Sequence, residues 1–157
     1  MQSQTSTPAD LWSTIADEAV RESTLWGEAL RPEAERDPEP VFSPLAHPRF
    51  ALGIETIYEG YLAHYGRPRL FEPADQDVAL LLGDYLYAHG LVRIASLGEV
   101  EAVRELAELI AYCAHLRADG AGGDGSAWVA TAQRLGDGEP PGDAVRRALD
   151  SHAGRVG

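Results

Sequence analysis

Apolar side chains recur at steps of three and four along almost the whole chain, and no run of five or more residues alternates in the period-two manner of a half-buried strand. That pattern admits helices and excludes a core built on a sheet, so the expected fold class is all-α. The chain has 157 residues, the size of one domain, and can bury roughly two-thirds of the surface its unfolded form exposes. A lone cysteine, Cys113, excludes a disulfide framework.

Prolines and glycines divide the pattern into a single helical domain over residues 1–157. A first helix is expected over residues 8–30, with Thr7 as N-cap and Pro8 at the first helical position. Residues 31–48 carry Pro32, Pro38, Pro40, Pro44 and Pro48, a density that no regular helix tolerates, and read as a belt or lid across the surface. A second helix follows over residues 49–64, closed by Gly66. The third carries Val78, Leu81, Leu82, Tyr85, Leu86 and His89 as the cleanest apolar stripe and is expected to be the central one. Gly98 separates it from a fourth helix over residues 99–117. Residues 119–125 hold four glycines and read as a flexible turn before two short helices, 126–135 and 143–151.

Charge narrows the partners. Against 25 acidic side chains stand 13 basic ones, a formal net charge of −12, which opposes both a phosphate backbone and an anionic lipid surface. The uninterrupted apolar stretches fall short of the ~20 residues that span a bilayer, and residues 1–8 have neither the basic nor the apolar region of a secretory signal. The expectation is a cytoplasmic protein with no transmembrane segment and no nucleic-acid partner.

Few residues carry chemistry. Glu55 and Glu59 stand one helical turn apart, with Cβ atoms about 6 Å from each other, and either grip a divalent cation or belong to a solvated helix face. No glutamate is followed by histidine three residues later, which removes the di-iron bundle pattern. Asp84 sits within the most apolar helix and must be paired, bound to metal, turned toward a cavity or placed on a polar edge. Arg67 and Arg69 follow the Gly66 turn with forked donors suited to phosphate, or are ordinary surface residues. The five histidines lack zinc spacing, Cys113 reads as buried packing, and there is no nucleophile elbow or phosphate loop.

The order Glu55-Thr-Ile-Tyr-Glu59, then Gly66-Arg67-Pro68, then Leu82-Gly83-Asp84-Tyr85-Leu86-Tyr87-Ala88 resembles the trans-polyprenyl diphosphate synthase family. There a DDxxD helix precedes an Arg-Arg-Gly-x-Pro turn and a Leu-x-Gly-Asp-x-Leu-x-Ala helix. The likeness spans residues 50–117 and implies a helical bundle like the N-terminal half of the isoprenoid synthase fold. It places the family's metal-binding segment on Glu55 to Glu59; Mg²⁺ at Glu55, Glu59 and Asp84, with Arg67 and Arg69 as diphosphate anchors, is the separate expectation for a chain that binds diphosphate by itself. The chemistry departs from the pattern. Thr56 replaces an aspartate, His64 and Tyr65 replace the arginine pair, and no Asp-Asp pair exists anywhere in the chain. One Glu pair without a facing acidic cluster cannot balance several Mg²⁺ ions. The expectation is therefore a degenerate, non-catalytic or regulatory small subunit whose partner, a catalytic prenyl synthase subunit, carries both acidic clusters; a homo-oligomer is the other assembly.

Tyr58, Tyr61, Tyr65, Tyr85 and Tyr87, on two neighbouring helices, supply either an interaction surface or ordinary core packing. Two further readings stay open. One is a metal-dependent diphosphate-binding protein or weak prenyltransferase using Glu55, Glu59 and Asp84, and the other is an acidic helical adaptor unrelated to isoprenoids.

Overall fold

The computed structural model describes residues 8–156. Seven α-helices account for most of them: α1 (Pro8–Glu22), α2 (Thr24–Ala29), α3 (Ala51–Tyr65), α4 (Gln76–Ala95), α5 (Val100–Ala118), α6 (Asp124–Arg134) and α7 (Ala144–Arg155). There is no strand among the described residues, only isolated bridges between Leu30 and Phe71 and between Gly66 and Val156. The all-α expectation holds.

The first expected helix is two. Ser23 adopts extended backbone (φ −161, ψ 139), and its hydroxyl accepts a hydrogen bond from the Leu25 amide to start α2. The expected Thr7 cap lies outside the described residues. Asp75 caps α4 by accepting from Val78 N at 2.9 Å. The glycine-rich turn is shorter than its composition suggests, because Gly123 takes a left-handed backbone (φ 106) and α6 begins at Asp124. Two residues expected to be loop, Asp124 and Gly125, are thereby helical.

The centre of the fold is α3 rather than α4. Residues 53–63 of α3 are buried without a break, while α4 buries Leu82, Gly83, Leu86, Gly90 and Ile94 and leaves Leu81, Asp84, Ala88 and Val92 exposed. A clean apolar stripe marks a helix with one face in the core; α3 is central because Gly53 and Gly60 let α4 approach and because its two glutamates find a partner inside. The closest approach is to α4, through reciprocal glycine pairs. A Cβ on Gly60 would lie 2.9 Å from the Gly83 carbonyl oxygen, and one on Gly83 would lie 3.0 Å from the Gly60 oxygen. Gly53 and Gly90 repeat the relation seven residues away on each helix, at 3.4 and 3.1 Å.

By length and composition α4 could cross a bilayer, although its longest uninterrupted apolar run is short; 28% of its most apolar window is buried within the chain.

One core cluster gathers Phe42, Leu45, Ile57, Tyr58, Tyr61, Leu106, Cys113 and Trp128 around α3. A second joins Trp12, Ile15, Ala19 and Trp26 to Leu70, Phe71, Leu82 and Leu86. The proline-rich belt is a structural member of the first. It turns through three short 3-10 segments and drives Val41, Phe42 and Leu45 inward, with Phe42 stacked 5.3 Å from Trp128.

Candidate functional site

Glu55 and Glu59 project one turn apart from α3, as their spacing requires, but into the interior, where Arg69 lies between them. All three side chains are 0% exposed. The Arg69 guanidinium donates to Glu55 Oε1 at 2.5 Å, to Glu59 Oε1 at 3.0 Å, and to the carbonyls of Glu39 and Glu55. Backbone amides take the remaining oxygens: Val41 N and Ser43 N reach Glu55 Oε2 at 3.2 and 3.1 Å, and Leu70 N reaches Glu59 Oε2 at 2.7 Å. The Trp12 ring of α1 covers the guanidinium at 4.5 Å, and Tyr58 lies beneath it at 5.1 Å. Burial works to lower the Arg69 pKa, but the two carboxylates override it and the group titrates above its ordinary range.

The solvated helix face and the surface arginine are thus both corrected. Sequence spacing showed that the glutamates share a face, but not that Gly66-Arg67-Pro68 turns Arg69 back against it. Asp84 is not brought to this cluster. It stands on the polar edge of α4, 71% exposed, 3.3 Å from His64 Nε2. Arg67 is exposed and Arg69 is sealed inside, so the two face different surroundings.

The tyrosines divide as well. Tyr58 and Tyr61 are buried in the chain's own core and cannot face a partner, whereas Tyr65, Tyr85 and Tyr87 are half-buried. Their hydroxyls are met by residues that sequence reading did not single out. Tyr58 Oη donates to His152 Nδ1 at 2.7 Å, which leaves Nε2–H to donate to Asp124 Oδ2 at 3.1 Å. The same oxygen accepts from Tyr61 at 2.5 Å and from Arg117 at 2.8 Å. This relay joins α3, α5, α6 and α7, and only a hundred-residue separation in sequence kept it from view.

Burial pushes both tyrosines above their ordinary range, and in Tyr61 the Asp124 hydrogen bond adds to it. Burial also works to raise Asp124, but the Tyr61 and Arg117 hydrogen bonds and the nearby cations override it and hold the carboxyl at about 2. Burial lowers His152 despite the adjacent carboxylate. Cys113, next to Tyr61, is pushed up to about 11 by burial, which makes it a poor nucleophile.

No group of three or more His, Cys, Asp or Glu side chains able to hold a metal ion occurs among the described residues. What the arrangement does chemically is hold charge in place: one carboxylate pair neutralised internally, and one carboxylate locked by Tyr61, Arg117, His152 and the Gly125 amide. No family model, curated protein or solved structure matches the chain.

Proposed function

We propose that the chain is a non-catalytic, prenyl-synthase-like subunit of isoprenoid diphosphate synthesis that works through a protein partner carrying the aspartate-rich clusters. The observation that carries this reading is the engagement of Glu55 and Glu59 by Arg69. These carboxylates stand where the resemblance places the metal-binding helix, and their oxygens accept from Arg69, Val41, Ser43 and Leu70. Carboxylates so occupied brace the bundle and are not offered to Mg²⁺. The reading is also supported by α4, whose outer face carries Leu81, Ala88 and Val92 with Asp84 as its single charge between them. A helix apolar on both sides is ordinarily covered on both.

Co-expression with a prenyl synthase from the same genome that bears both acidic clusters tests the proposal. Prenyl transfer is expected from the complex and not from the isolated chain, and Val92→Glu is expected to break the complex while leaving the chain folded. Mg²⁺-dependent turnover by the isolated chain would overturn the reading.

A further inference from the structure

Where residues 31–37, the turn after α3 and the end of α7 meet, a cavity of about 150 Å³ is lined by Arg31, Arg67, Arg69 and Arg155, facing Glu35 and Asp37. Four of the chain's 13 basic residues line it, on a protein of net charge −12. Arg31, Arg69 and Arg155 each have acidic partners, and of the four only Arg67 has none among the described residues.

Arg31 and Arg155 are the fixed members of the cluster and their carboxylate partners the movable ones. Arg31 is 7% exposed and is anchored by donation from Nε to the Pro68 carbonyl at 3.3 Å; its acidic partner Glu72 is 71% exposed. Arg155 is 13% exposed and is held by Ser151 Oγ at 3.2 Å, while its partners Asp37 and Glu39 are 64% and 57% exposed. Exposed ion pairs contribute little to stability, so these carboxylates swing out at small cost. Arg67 forms no ion pair among the described residues; only its backbone amide is engaged, by the Arg155 carbonyl at 2.8 Å. Arg67 lines both this cavity and an adjoining open groove of about 440 Å³ that runs past His64, Tyr65 and Val156.

We infer that this cavity is a binding site for a phosphate-class oxyanion, held by Arg67, Arg155 and Arg31 in exchange for Asp37, with the adjoining groove open to an organic substituent. Guanidinium groups pair with phosphate oxygens through two parallel donors, and the bond is stronger than one to a neutral acceptor. Arg69, committed to Glu55 and Glu59, supplies charge from behind but no donor to the ligand. The site needs no metal and does not depend on the proposed subunit role.

Calorimetric titration of the full chain with inorganic phosphate and with phenyl phosphate, at matched ionic strength in chloride, tests the inference. Saturable binding is expected. Arg67→Gln is expected to weaken it at least about tenfold without changing the melting temperature of the unliganded protein, and Asp37→Asn to tighten it. Tighter binding of phenyl phosphate than of phosphate places the substituent in the groove, and equal binding assigns the site to the bare anion; either outcome supports it. Absence of saturation, or binding that Arg67→Gln leaves unchanged, overturns it.

Discussion

The Arg69 guanidinium lies 2.5 Å from the Glu55 carboxylate, with both side chains wholly removed from solvent. An ion pair in that setting is strong only while every partner is present, because each charge has given up its hydration. Arg69→Leu would leave Glu55 and Glu59 facing each other in the core. Denaturant unfolding is expected to show a loss of about 3–5 kcal/mol. Arg69→Lys should recover little of it, since a single ammonium cannot reach both carboxylates and two carbonyls at once. A loss below about 1 kcal/mol, the range of exposed pairs, would mean that water reaches the site.

The same occupancy governs the response to metal. With Arg69, Val41, Ser43 and Leu70 donating to the oxygens of Glu55 and Glu59, a chelator-treated sample and one saturated with Mg²⁺ are expected to melt at the same temperature. Thermal denaturation by circular dichroism measures this. A clear upward shift with Mg²⁺ that Glu59→Gln abolishes would return the pair to metal binding.

Gly60 and Gly83 set the distance between α3 and α4: a side chain at Gly60 would meet the Gly83 carbonyl oxygen first, at 2.9 Å, and one at Gly83 would meet the His64 ring and then the Gly60 oxygen. Backbone cannot turn aside as a side chain can. Gly60→Ala is expected to cost about 1–3 kcal/mol through overpacking, despite alanine's better helix propensity. Gly122→Ala, where nothing lies within 4 Å and φ is not left-handed, is the neutral control.

The His152 relay gives the fold a pH dependence with a definite sign. His152 has its pKa lowered by burial, so the unfolded chain takes up the proton more readily. The stability that neutral His152 contributes is therefore complete above the ordinary histidine value of about 6.5 and declines as pH falls below it. Asp124, held at about 2, adds a second loss that begins near the ordinary carboxyl value of about 4. Urea midpoints are expected to fall from pH 7.5 to 5.5, and His152→Gln to flatten that part of the profile. A midpoint constant across the range would show that the imidazole titrates alike in both states.

What could be read from sequence was what depends on neighbours along the chain. Helical periodicity, the Gly98 break and the shared face of Glu55 and Glu59 all follow from spacing over a turn or two, where backbone geometry leaves little choice. Which helix is central did not follow, because a clean stripe on α4 and a mixture of glycine, apolar and acidic residues on α3 say nothing of what packs against them. Tertiary structure decided that Arg69 enters the core while Arg67, two residues away, stays in water. It likewise decided that Phe42 of the proline-rich belt becomes a core residue, and that His152 closes on Tyr58 and Asp124. In each case a charge or ring is buried only because groups ten to a hundred residues distant compensate it, and the sign of that balance is set by which groups the fold brings within about 3 Å.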